Sequence, residues 1–230
     1  MALCVAAPAY AGLFTVTPVR IHMSHKDRAV AVTITNDGDE ELVMQADIYV
    51  WKQKPDGGDE LTPSEDLFLS PPIIKLSGKS RQVVRLARLS KTVMEQQLTY
   101  RMIVREVPEA KPVKSNIQMQ IALAFSMPVF ITPPNAKNKL DCSVARTAAN
   151  SINATCENTG NAYAQLIDFA LISEAGEKLA VRDTGGYILP GIKRTFDIRR
   201  ADGRIPGGKA RLAVTLDSGA KQTYDVTLTE

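Results

Sequence analysis

From residue 118 to residue 130 the side chains alternate without interruption. Met119, Ile121, Leu123, Phe125, Met127 and Val129 take the odd positions, while Gln118, Gln120, Ala122, Ala124, Ser126 and Pro128 take the even ones. A period of two puts every odd side chain on one face of a β-strand. Strands in globular proteins usually run about five or six residues, so an apolar face this long exceeds what one sandwich needs to bury. The surplus calls for a second apolar surface to cover it.

The rest of the chain also reads as strands, punctuated by turn residues roughly every ten to fifteen positions. Residues 29–35 alternate as A-V-A-V-T-I-T and stop at the turn cluster Asn36-Asp37-Gly38-Asp39. A strand resumes over 43–51 and ends in the loop Lys54-Pro55-Asp56-Gly57-Gly58. The stretch 68–76 carries Pro71-Pro72, which excludes a central strand and predicts an edge or a crossing between sheets. Further strands are expected over 80–89 and 98–107, with room for one short helical turn in the unpatterned 90–97. Thr132-Pro133-Pro134 reads as a stiff linker. Beyond it, short strands are expected near Leu140 and over 153–157, 162–173, 178–181, 195–198, 209–216 and 223–229. Clusters such as Asn158-Thr159-Gly160 and Gly185-Gly186 supply turns between them. The expectation is an all-β chain of two β-sandwich domains in tandem, 12–132 and 133–230, without a close repeat between the halves.

Residues 1–11 are apolar and uncharged and end in Ala9-Tyr10-Ala11, the small-x-small form cut by signal peptidase. The run reads as the remnant of a secretory signal, with Gly12 opening the mature chain and Met1 inside a longer leader. A buried strand is the other reading of the same residues. Export would leave Cys142 and Cys156 as a pair after loss of Cys4. They flank 143–155, with Ala149-Asn150-Ser151 midway, so a hairpin would bring them face to face as a cross-strand disulfide. Without export they would be reduced core thiols. A metal site would need ligands that are not nearby.

Catalytic motifs are missing: there is no G-x-S-x-G, H-E-x-x-H, phosphate loop or dinucleotide fingerprint. His22 and His25, three apart on a strand, point to opposite faces and read as surface residues. Asn153-Ala154-Thr155 fits a glycosylation sequon but reads as ordinary strand sequence. A net charge of +3 with scattered Lys and Arg gives no basis for a nucleic-acid partner. No enzyme activity, cofactor, metal or small-molecule substrate is expected.

An ordered set of short features resembles the PapD-like family of pilus chaperones. It runs from Val19-Arg20-Ile21 through Val30 to Asn36, Pro71-Pro72 before Leu76, and Gly78-Lys79-Ser80 leading to Val84-Arg85. It continues with Arg105-Glu106-Val107-Pro108 and Ile121-Ala122-Leu123. The carboxyl-terminal half matches more loosely, chiefly through Glu157-Asn158-Thr159 to Tyr163.

The resemblance implies two immunoglobulin-like domains, angled to form a cleft, in a periplasmic protein. It implies capture of pilin subunits by donor-strand complementation and their delivery to an outer-membrane usher. Residues 118–130 match the strand that is lent, which makes Met119, Ile121, Leu123, Phe125 and Met127 the subunit-binding set. Arg20 falls on the family arginine that anchors the subunit's terminal carboxylate, but the partner lysine position falls on Pro128. That departure, with Tyr100-Arg101, resembles the archaic branch of the family and makes Arg101 the substitute anchor. Arg85 and Arg105 are expected to brace the fold. The rival reading, a secreted two-domain adhesin or carbohydrate-binding module, calls for aromatic platforms at loop tips, and the chain has a single tryptophan, Trp51.

Overall fold

A computed structural model describes residues 14–54, 56–89, 94–108 and 122–229, which form eighteen strands and no helix. They group into two compact units. The first is Met1–Val50, Leu61–Thr92 and Thr99–Ile131, and the second is Trp51–Glu60, Val93–Leu98 and Thr132–Glu230.

The amino-terminal strands are β1 (Phe14–Thr17), β2 (Ile21–Ser24), β3 (Ala29–Asn36), β4 (Leu42–Gln53), β5 (Asp59–Pro63), β6 (Leu67–Ser70), β7 (Ile73–Leu76), β8 (Arg81–Arg88), β9 (Leu98–Glu106) and β10 (Ala124–Thr132). They make a sheet in the order β1-β3-β8-β6 and a second in the order β2-β10-β9-β4-β5, with β7 also on β4. Antiparallel register sets Val32 opposite Val84 and Ala46 opposite Val104. All four are buried, so the period-two pattern of each sheet turns its apolar face inward. Pro71-Pro72 is a crossing: β6 pairs with β8 in one sheet and β7 with β4 in the other. A proline cannot donate to a ladder, so the chain leaves one sheet there and enters the next. Pro18 stands at the equivalent step from β1 to β2.

Several expectations shift. Of the strand expected over 118–130, residues 118–121 lie outside the described residues; the described strand runs over Ala124–Thr132, past Phe130, and Ala122 and Leu123 precede it. The short helical turn expected within 90–97 lies partly outside the described residues; of those described there, 95 and 96 form a bend. β5 is exposed along its whole length and shows no alternation; it is held in line by pairing with β4 and by Gln53 Nε2, which donates to Asp59 Oδ1 at 3.3 Å.

The carboxyl-terminal strands are β11 (Leu140–Ala148), β12 (Ser151–Asn158), β13 (Ala164–Ser173), β14 (Lys178–Arg182), β15 (Gly186–Ile188), β16 (Lys193–Arg199), β17 (Gly208–Leu216) and β18 (Lys221–Leu228). Their order is β11-β12-β16-β14-β13-β17-β18, with β15 on β13 where a Gly-Gly turn was expected. β14 and β16 touch through one register pair, Val181 opposite Arg199. The ladder turns there, and Ile152, Ala154 and Phe196 share a core with Phe169, Leu171 and Leu212. The Tyr224 hydroxyl donates to the Leu140 carbonyl at 3.0 Å, joining the two ends of the order.

Each unit is pinned by a buried asparagine ending a strand in Asn-x-Gly. Asn36 Nδ2 donates to the Glu40 carbonyl at 2.7 Å and the Ser77 carbonyl at 3.1 Å, while its Oδ1 accepts the Gly38 N–H. Asn158 Nδ2 donates to the Ala162 and Ile188 carbonyls at 2.8 and 3.0 Å, and its Oδ1 accepts the Gly160 N–H. A Cβ on Gly160 would strike the Lys137 carbonyl. The two halves thus share a local repeat of three residues, too short to make them alike in sequence.

Cys142 stands directly opposite Cys156 across the β11–β12 hairpin, and the two form the expected disulfide. Closing a loop of this length removes about 3 kcal/mol of freedom from the unfolded chain. Cys142→Ala/Cys156→Ala is therefore expected to lower the unfolding free energy by about 2–4 kcal/mol in urea titration; an unchanged midpoint would contradict that role.

Candidate functional site

β10 lies between β2 and β9. With four residues against nine, β2 cannot flank all of it. The His22 and Phe130 rings, 5.6 Å apart, seat β2 beside the carboxyl-terminal half. At the other end the Glu106 N–H donates to the Leu123 carbonyl at 2.9 Å, so β9 accompanies the start of β10. Alternate residues of a strand aim their peptide groups to opposite sides. Leu123 and Phe125 therefore aim theirs at β9, and Ala124 and Ser126 aim theirs at the edge that β2 does not reach.

The odd face changes character along the strand. Val129 and Ile131 are fully buried and Met127 is 3% exposed, whereas Phe125 is 39% exposed and Leu123 is half-buried. The Phe125 ring meets the buried Phe14 ring of β1 edge-on, with centroids 4.9 Å apart. One apolar face thus runs out of its own core at Phe125. Met127, which alternation groups with the outward set, is buried in its own sandwich, because the strand is covered from that residue on. Pro128 and Phe130 on the even face are buried as well. Met119 and Ile121 lie outside the described residues.

Arg20 is half-buried just before β2, and Arg101 is half-buried on β9 opposite Tyr49. Their strands flank β10 on its two sides. β9 ends where β10 begins, so the two run antiparallel, and counting back from the Glu106–Leu123 bond sets Arg101 across from Pro128. Beside Arg101 on the opposite face, Tyr100 is buried and donates to Asp66 Oδ2 at 3.3 Å. Burial, reinforced by the Asp66 carboxylate, pushes its hydroxyl above the usual tyrosine range and keeps it neutral. Arg105 does brace the sheet: its Nη2 lies 2.8 Å from Asp47 Oδ2 and donates to the Tyr49 hydroxyl at 3.2 Å. Arg85 projects from the exposed face of β8. Trp51 is 1% exposed and offers no platform. His22 and His25 are exposed.

Residues 13–137 match the family model described as pili and flagellar-assembly chaperone, PapD N-terminal domain. No curated protein sequence matches the chain. Among solved structures, a chain of the CsuC–CsuE chaperone–tip subunit pre-assembly complex from archaic Csu pili of Acinetobacter baumannii is similar at 21% identity. That match has a TM-score of 0.67 and covers 95% of this chain and 100% of the other. The E. coli chaperone DraB matches at 18% identity and TM-score 0.61, covering 95% and 97%. A chain of the Salmonella enterica SafA pilin–SafB chaperone complex matches at 13% and 0.61, covering 96% and 99%. At these identities the likeness is one of fold.

The burial boundary generates a test on the free protein. Met127→Asp places a charge in a closed core and is expected to cost more than about 4 kcal/mol. Phe125→Asp, two residues earlier on the same face, is expected to cost no more than about 2 kcal/mol. Equal losses in thermal melting would place the boundary elsewhere.

Proposed function

The chain belongs to the PapD family of pili and flagellar-assembly chaperones, and on that footing we propose that it works in the periplasm as a donor-strand chaperone for pilin subunits. The observation that carries this reading is the odd face of β10, which leaves its own core between Met127 and Phe125. A subunit lacking its last strand exposes both an apolar groove and an unpaired sheet edge. The peptide groups of Ala124 and Ser126 offer a ladder to that edge. Leu123 and Phe125, continued by Ile121 and Met119, offer side chains to the groove. Each large apolar side chain fully buried is worth about 1.5–3 kcal/mol, so a few of them outweigh surface charge effects. Met127 stays with the host.

Arg20 and Arg101, one on each side of β10, anchor the subunit's terminal carboxylate, Arg101 serving in place of the family lysine at Pro128. The complex is then handed to an outer-membrane usher, and no covalent chemistry takes part. Residues 12–132 and 133–230 act as the two immunoglobulin-like domains. Among the similar structures a tip subunit is bound by CsuC and a pilin by SafB, which is consistent with a subunit as partner. A carbohydrate-binding role is disfavoured by the buried Trp51.

Ile121→Asp/Leu123→Asp is expected to abolish capture of a pilin subunit co-expressed in the periplasm, while the chaperone still folds and exports. Undiminished pull-down would contradict the strand mechanism. In the same assay Arg101→Ala is expected to weaken capture about tenfold for a subunit with a free terminal carboxylate. A tag placed after that carboxylate should remove the dependence; equal loss with and without the tag would contradict anchoring by Arg101.

A further inference from the structure

Resting on the donor-strand reading above, the residue at the border of the two apolar surfaces has a role of its own. Phe125 is the first odd-numbered side chain outside the host core, and it is an aromatic ring where Ala124 and Ser126 beside it are small. It is not loose. Phe14, 5% exposed on β1 of the opposite sheet, meets it edge-on at 4.9 Å. Phe14 itself is held by register opposite Asn36, the residue that pins the end of β3. An edge-to-face pair fixes the direction of both rings, because the positive edge of one seeks the negative face of the other. One side of the Phe125 ring therefore rests on the host core, and the rest remains to be covered.

We propose that Phe125 is a specificity-determining residue shared by the host and guest cores, and that Phe14 is its positioning residue. The partner class follows from shape. A captured subunit must end its open groove in an apolar pocket wide enough for a phenyl ring, next to the host's first strand. A groove closed at that point by a large side chain would meet a ring that cannot turn away, since Phe14 backs it. The amino-terminal strand β1, far from the lent strand in sequence, thereby selects the guest.

The probe is a pilin subunit that the wild-type chaperone captures, unfolded in urea and diluted into the full-length chaperone, with the dissociation constant of the complex as readout. Phe125→Leu is expected to weaken the complex about fivefold, the span of an aromatic pair. Phe14→Leu, which keeps an apolar side chain of similar bulk, is expected to weaken it about threefold. The double variant should be no weaker than Phe125→Leu alone, because Phe14 acts only through Phe125. A purely structural Phe14 would instead show full additivity, and that result would overturn its positioning role. Leu123→Asp is the control for the underlying mechanism. If it abolishes capture while Phe125→Leu binds as wild type does, the specificity proposal fails and the strand mechanism stands. If Leu123→Asp also binds as wild type does, the strand mechanism itself fails.

Discussion

A β-strand that is apolar on one face has to cover the whole of that face, and a sandwich covers only as much as its opposite sheet reaches. In β10 the two lengths differ. Met127, Val129 and Ile131 meet the opposite sheet and are sealed, while Phe125 stands at its rim against Phe14. Leu123, the next described residue on that face, is half-buried, and in the proposed mechanism a subunit covers what the opposite sheet does not. The constraint is geometric: a strict period of two keeps Leu123 and Phe125 on the face that is already committed to a core. Under the proposed mechanism the guest would continue the host's own interior rather than land on an unrelated patch.

The remainder of the first unit holds that strand in place. Prolines at the two sheet-to-sheet steps end one ladder before the next begins. Asn36 ties the β3–β4 turn to the end of β7 through its carboxamide. The Arg105–Asp47 pair crosses from β9 to β4, at the end of β9 that accompanies the start of β10. These groups keep β10 from rotating or slipping, and a slip of one residue would send every odd side chain to the wrong face.

Much of this was legible in the sequence because it is local. Alternation named the strands, Pro71-Pro72 marked a crossing, and the spacing about Ala149-Asn150 brought Cys142 to Cys156. The point at which the odd face of β10 leaves its own core was not legible. Periodicity assigns Met127 and Phe125 to one face, and only the extent of the opposite sheet, which no local pattern states, leaves one 3% and the other 39% exposed. Asn36 and Asn158 looked like turn formers, since nothing in a short Asn-x-Gly says that the carboxamide is buried. β5 and β15 lack any apolar pattern and depend on backbone partners supplied by β4 and β13.

Amide hydrogen exchange along β10 tests the central claim most directly. In the free chaperone the N–H groups of Ala124 and Ser126 face the uncovered edge and are expected to exchange fast, while those of Phe125 and Met127, turned toward β9, are slow. On forming the complex with a subunit, Ala124 and Ser126 should become slow by orders of magnitude. If they remain fast in a stable complex, the subunit is held elsewhere and β10 is not the strand it borrows.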